Sequence, residues 1–535
     1  MNKHKLMVIS VGTLFLALLN TIGYVTENSV WDNPFRVGIS VVFFVGIGML
    51  TYFMLIVLFY CIDNIKNKAN PISRFEIMTI SINLRWIFVF ILIAWLPYCI
   101  LHYPTRLGGG SGNQLRMFFG EETRAWLLSS VKYDGHYLVN HHPVLITLYY
   151  GFFWLVGIKA GNVDAAVFML SCTNLIISVG AFTYMVCRIK KYLSPRGFMA
   201  ILLFVALFPY YGAYAYTCCK DNLFGAALII FYTLLMDMVL VGELSRHDLL
   251  VLTIVSAVIP FLKNQGIIII VISLSAVCLC LREYTKQIIV IILLSAFVYI
   301  VLFSHVLMPL LKISPGGKQE ALSVPFQQTA ARFLYHPEDV SEYEYSTVDR
   351  LLPADIIAEE YDPERADAVK FQFKPQATNE ELIEYAKVWL EGLRRHPLVY
   401  VRAWASMTDG YFYIFYEKIN MNLSAKLDDY GAYNPDWVLY LIEKEKAFLE
   451  RLILIPFAGQ IFKNTFFSYA ALLTGLYCWY SEKYKRLLVV LPVLLNFLVL
   501  LLCPANGMLR YSIPLIYALP IEYVLIVYKG EDRVR

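Results

Sequence analysis

Residues 249–303 read LLVLTIVSAVIPFLKNQGIIIIVISLSAVCLCLREYTKQIIVIILLSAFVYIVLF, and this stretch decides the fold. Two apolar runs, 249–262 and 266–281, are divided only by Lys263-Asn264-Gln265, and a third, 288–307, follows Arg282 and Lys286. A helix needs about 20 apolar residues to cross a bilayer, and inside lipid it must satisfy its own backbone groups. Three helices crossing in alternate directions meet that demand, with Lys263 at one face and Arg282 and Lys286 at the other.

Working outward, comparable runs lie near 7–24, 37–61, 86–102, 164–187, 198–216, 222–240, 460–480, 487–503 and 511–528. The expected fold is therefore an α-helical polytopic membrane protein with about twelve transmembrane helices. Composition agrees: of 535 residues 59% are hydrophobic and 16% charged, where globular chains average about 25% charged. The first run follows Met-Asn-Lys-His-Lys but lacks a small-x-small cleavage pattern, so it reads as an uncleaved anchor. Residues 308–452 are the exception, holding 24 of the 41 acidic and 16 of the 45 basic residues. They read as a soluble domain of mostly α character, with an amphipathic helix at Asn379 to Arg395 and prolines dividing it into short elements. None of the ten cysteines lies there, which excludes a disulfide framework for that part. The net charge of +4 is a loop-level basic excess and gives no reason to expect nucleic acid.

Lys and Arg gather on cytoplasmic loops. Placing Lys3 and Lys5 inside puts Lys66, Lys68 and Arg74, then Arg188 to Arg196, Arg246, Arg282 and Lys286, Lys483 to Arg486, and Lys529 to Arg535 inside as well. This ladder closes, with both termini cytoplasmic, only if Pro143 to Ile158 does not cross; His142 to Lys159 then reads as a helix along the outer face or dipping partway in, the alternative being that it crosses, paired with a further short span. The expected organisation is 1–102 N-terminal membrane helices, 103–163 a first outer loop with a juxtamembrane helix, 164–307 a central bundle, 308–452 the extracytoplasmic domain, and 453–535 C-terminal membrane helices.

Polar groups near lipid are costly unless they serve a site, and five clusters stand out. The first runs from Tyr103-Pro104 through Gly108 to Gly112 and Gln114, followed by Glu121, Glu122, Asp134 and Asn140-His141-His142-Pro143. Its glycines suit a phosphate-binding nest or a flexible turn. The histidines suit a metal or ordinary hydrogen bonding, although their spacing matches no recognised zinc pattern. The second, Lys220-Asp221-Asn222, is a helix-end pair or a functional one. The third is Lys263-Asn264-Gln265-Gly266, a cation placed to meet an anion. The fourth, Ser323 to Gln328 with Arg332, offers Gln327 and Gln328 to sugar hydroxyls or only to the surface. In the fifth, Pro504 to Tyr511, Arg510 reads as a phosphate ligand or a snorkelling side chain. The aromatic run Tyr411 to Tyr416 reads as a headgroup belt.

The order of these motifs, from about Trp86 to the C-terminus and including Tyr361-Asp362-Pro363, Asp367 and Lys370, resembles a family of bacterial polytopic membrane proteins similar to GT-C glycosyltransferases. The resemblance implies sugar transfer from a polyprenyl-phosphate donor to a glycan, lipid or protein of the cell envelope, on the outer face. It implies an acid in the first large outer loop, as base or ligand of a divalent cation, about four residues before Gln114. That position here is Gly110. Glu121, Glu122, Asp134 or Asp221 would have to take the role, with Lys220, Lys263, Arg510, Gln327, Gln328, Arg332, His141 and His142 as substrate ligands. The alternatives are a transporter or flippase of a lipid-linked or anionic solute, a ligase or polymerase of lipid-linked glycans, and a catalytically inactive scaffold of the same fold.

Overall fold

The apolar runs become helices because nothing but the chain itself can satisfy their backbone groups in lipid. The structure is a computed structural model that describes residues 2–28, 34–67, 83–242, 244–421, 423–424, 430–502 and 505–530. Lys68, Arg74, Cys503, Pro504, Arg533 and Arg535 lie outside the described residues, as does the side chain of Lys66. The chain is 75% helical. Among the described residues eight helices are long and apolar enough to cross a membrane: Lys3–Glu27, Gly38–Ile65, Leu84–Leu101, Val163–Tyr192, Lys220–Leu240, Arg282–Leu310, Tyr484–Leu501 and Leu509–Val527.

The other four expected spans are also helical, but each differs from a simple crossing. The 198–216 run is broken into Pro195–Leu207 and Pro209–Ala215, bent by 49°, because Pro209 lacks the N–H that would continue the ladder. Arg246–Leu262, Gly266–Cys280 and Asn464–Tyr480 have 17, 15 and 17 residues. At 1.5 Å per residue they reach about 22 to 26 Å, short of a hydrocarbon core of about 30 Å. The Val144–Ala160 helix turns at Gly161-Asn162 and packs against its successor, Gly157 facing Val163 and Ala166 while Tyr149 Oη donates to Asn174 Oδ1 at 3.0 Å. Partners that diverge from the turn in both directions make the two helices antiparallel neighbours, so Val144–Ala160 stands beside the next helix instead of lying across its end.

Lys220–Leu240 is the centre of the bundle, with 89% of its apolar window buried, and its charges sit at its ends. At the C-terminal end Asp237, 1% exposed, accepts from Arg188 at 2.8 Å, Lys191 at 2.9 Å and Tyr192 Oη at 2.5 Å, and Arg188 also pairs with Asp248. Nearby, buried Arg486 donates to the carbonyls of Leu525, Tyr528 and Gly530, closing orphan acceptors at the end of the last helix. The N-terminal end meets the first loop and the 308–452 segment.

Within that segment Phe326, Val348, Leu351, Ile357, Val369, Phe373 and Tyr385 form a separate apolar core, joined by Leu128 of the first loop. The later part packs onto the bundle. Trp404 donates to Leu501 O, and Tyr411, Phe412, Tyr413 and Tyr416 belong to the main core. These rings are interior, not a headgroup belt, because Tyr411 Oη finds Ala505 O at 2.9 Å and Tyr413 fills the space over Gly23. Strand Leu107–Gly108 pairs antiparallel with Leu423–Ser424, stitching the first loop to the late segment.

Removing one partner of a buried ion network leaves uncompensated charge. Asp237→Asn should therefore lower unfolding stability in detergent by about 3 kcal/mol, measured by denaturant titration. A loss below about 0.5 kcal/mol would mean that solvent already screens Arg188 and Lys191.

Candidate functional site

Three separate chain segments bring charge to the N-terminal end of Lys220–Leu240. Asp221 sits in the first turn, where the helix dipole favours a carboxylate, and is 0% exposed. Lys263 caps Arg246–Leu262 in extended backbone geometry, which swings its side chain across to Asp221 Oδ1 at 2.7 Å. Arg510, in the 3-10 turn Leu509–Ser512, stands 3.9 Å from Asp221 Oδ2, donates to Tyr511 Oη at 2.7 Å and also reaches Gly109 O. Both cations face the Tyr511 ring, at 5.3 Å for Lys263 and 4.5 Å for Arg510. Lys220, next in sequence to Asp221, sits in the field of Asp221, Arg510 and Lys263, and its ammonium donates to His142 Nδ1 at 2.8 Å. Three cations around one carboxylate leave a formal excess of two positive charges in a largely buried space, a composition that fits an anion better than a metal.

The glycine stretch is a packed joint. Gly108 N donates to Cys218 O at 2.9 Å, and a Cβ on Gly108 would lie 2.8 Å from Cys219. Gly110 has φ +89° and starts the Ser111–Phe118 helix. A Cβ there would stand 2.7 Å from His142 Cε1. The residue that replaces the acid implied by the resemblance therefore occupies a position where a side chain meets both backbone strain and an imidazole.

His142 is held neutral, its pKa pushed well down by burial and by Lys220, His141 and Arg510, so its Nδ1 accepts from Lys220. Burial pushes His141 down to about 4, against the pull of Glu320 3.7 Å away. Glu320 also accepts from Lys370 at 3.0 Å, and Lys370 pairs with Asp367 at 2.9 Å. This polar chain joins the bundle end to the 308–452 segment. Asn264 ties the same seam, donating to Asn140 O at 2.7 Å.

Four of the expected site residues, Asp221, Lys220, Lys263 and Arg510, thus gather with His142, and His141 stands behind them. The others lie elsewhere. Glu121 is exposed and held by Arg116 and Tyr430; Glu122 and Asp134 are exposed on the first loop. Gln327 donates to Asp362 O, and Gln328 bridges Tyr400 O and Trp389 Nε1, each at 3.0 Å. Arg332, 1% exposed, pairs with Glu344 at 2.9 Å. These three hold the segment's own fold together.

Tyr511 falls inside the fifth cluster, but the sequence assigned it no role beside Arg510. Sequence reasoning missed Arg106, whose guanidinium pairs with Glu445 at 3.0 Å beside His102. Arg106 and Glu445 line a cavity of about 750 Å³ whose walls include Met421, Leu423, Ile442 and Leu449. The cavity and the cation cluster are tied by backbone: Arg106 O accepts from Cys218 N, two residues before Lys220, at 3.0 Å, and O of Asn420, another lining residue, accepts from Leu509 N, one residue before Arg510, at 2.8 Å.

Fold and site together define a helical polytopic membrane protein with a buried, cation-rich site at one end of its bundle. The chain belongs to DUF6020, a family of unknown function, which it matches over residues 2–534. No curated protein and no solved structure matches it significantly.

Two measurements follow. Gly110→Asp should cost about 2 kcal/mol or more of stability, and His142→Ala in the same chain should restore part of it; equal losses with and without the imidazole would remove the clash argument. His141 stays unprotonated when folded down to about pH 4, while the unfolded chain takes up that proton near 6.5. Stability should therefore rise with pH between those values and fall on acidification. Melting at pH 7.5 and pH 5 should show a smaller acid loss in His141→Gln than in the parent protein.

Proposed function

We propose that this protein is a GT-C-like membrane glycosyltransferase that moves a sugar from a polyprenyl-phosphate donor to a cell-envelope acceptor. The convergence of Lys220, Lys263 and Arg510 around Asp221 carries the reading. Sugar transfer with inversion needs a base beside the acceptor hydroxyl and positive charge beside the departing phosphate. In this scheme the acceptor oxygen forms the new bond to the anomeric carbon and gives its proton to Asp221, whose carboxylate is released as Lys263 and Arg510 turn from it to the departing phosphate. The anomeric carbon–oxygen bond to phosphate breaks with its electron pair, and the polyprenyl phosphate leaves toward the three cations. Asp221 serves as the acid that the first loop lacks at Gly110. The 750 Å³ cavity, lined by Arg106, Glu443, Glu445, Lys446 and Glu450 as well as by Met421, Leu423 and Leu449, supplies polar groups for a sugar and an apolar surface for the lipid, within the size range of ligand sites. The scheme places this end of the bundle outside the cell membrane, with both termini in the cytoplasm and about twelve crossings.

Transport of a lipid-linked anion is the second reading, favoured by the 49° bend at Pro209, since broken helices are a transporter device. Its rings of Phe204, Tyr211 and Phe462 around Phe208 supply no charge for a solute, which favours transfer.

Purified protein offered a panel of labelled polyprenyl-phosphate sugars should release polyprenyl phosphate. Arg510→Ala and Lys220→Ala should each lower turnover by about 100-fold or more, as expected for loss of a preorganised charge at the leaving group, with membrane expression intact. Full turnover in Arg510→Ala would remove the scheme. Lipid movement across vesicles without sugar transfer would favour the second reading.

A further inference from the structure

Two helices of the 308–452 segment end in the same way. Ser323–Tyr335 stops at His336, followed by Pro337, and Asn379–Arg395 stops at His396, followed by Pro397. A residue before proline is kept out of the helical region, so both chains leave the helix at the histidine with nearly the same backbone angles, φ −140° and ψ 56° against φ −127° and ψ 57°. Each histidine N–H still closes the last turn, to Arg332 O at 2.8 Å and Gly392 O at 2.9 Å. The outcome is a face-to-face pair of imidazoles, centroids 4.2 Å apart and 19° from parallel.

Asp339 completes the group. Its Oδ2 lies 3.1 Å from His396 Nε2, and one ligand atom from each of His336, Asp339 and His396 falls within 4.8 Å of the others. The Asp339 carbonyl accepts from Arg332 and Arg395, each at 3.0 Å, which fixes the turn bearing the carboxylate. Glu344 pairs with both guanidiniums, which offsets part of the positive charge beside the site. Glu338 Oε1, 3.3 Å from His336 Nδ1, orients that ring. Such outer partners are what a metal-binding histidine requires.

We propose that His336, Asp339 and His396 bind a zinc ion that pins the ends of these two helices together. Two imidazoles and a carboxylate with a water in the fourth position match tetrahedral zinc, at about 2.0–2.2 Å per ligand. To aim a nitrogen each at one ion the two rings turn out of their stack; His336 and Asp339, with side chains 36% and 52% exposed, have the room to move toward His396, which at 13% is the fixed member. The site is distinct from the cation cluster. It lies at the C-terminal end of a 13-residue helix, about 20 Å along the axis from Ser323 and the Glu320–His141 seam.

The test uses the untagged full-length protein in detergent, stripped by chelator and titrated with Zn²⁺, with Co²⁺ as the spectroscopic probe. One equivalent of Zn²⁺ should bind and raise the melting temperature, and Co²⁺ should give tetrahedral visible absorption. The double variant His336→Gln, His396→Gln should lose both signals while melting like stripped wild type; a His141→Gln, His142→Gln protein should keep them. If the first double variant does not fold, Asp339→Asn supplies the test, with affinity expected to fall about tenfold or more. Absence of metal uptake by stripped wild type, unchanged binding in the His336/His396 or Asp339 variants, or loss of binding in the His141/His142 variant would each overturn the assignment.

Discussion

A carboxylate sealed among apolar helices must be met by positive charge, and Asp221 imposes that demand on everything around it. Lys263 can answer it only because the Arg246–Leu262 helix stops short in an extended residue, and Arg510 only because a 3-10 turn delays the final helix. The glycine joint at 108–110 then has to pass close enough to offer Gly109 O to the same arginine. Short helices, tight joints and the position of the first loop all follow from assembling one charged group where water is scarce.

The excess of positive charge separates this cluster from an ordinary internal ion pair. At the opposite end of Lys220–Leu240, Asp237 and Asp248 balance Arg188 and Lys191 within one network. At the Asp221 end, Lys220 leans on a neutral imidazole. The two ends are built from the same residue types, and only one of them has room in its charge balance for an anion.

The helices were legible in the sequence because apolar runs interrupted by Lys263 or Arg282 allow few other structures. Their lengths were less so: 17 residues of Arg246–Leu262 look like a crossing until the caps are seen, and Pro209 signals a break whose angle depends on its neighbours. Lys220, Asp221, Lys263 and Arg510 stood out because charge flanked by lipid-length runs is conspicuous. Gln327, Gln328 and Arg332 stood out equally, yet they serve an interior that only tertiary packing reveals. Likewise the run Tyr411 to Tyr416 has the composition of an interfacial belt, yet four of its rings, Tyr411, Phe412, Tyr413 and Tyr416, lie in the core and only Phe415 is exposed. Sequence spacing does not encode which surface a polar or aromatic side chain will meet when the partner lies 94 residues away, as Ala505 does from Tyr411.

The network at Arg188 has a mechanical consequence. With Asp237 anchored there and Asp221 anchored at the far end, the central helix is a strut fixed at both tips, and hinging the bundle about it would strand buried charge. Movement near the site falls more easily on the pieces above it, where a two-residue strand pair and the polar contacts of His141, Glu320 and Lys370 join the first loop to the 308–452 segment.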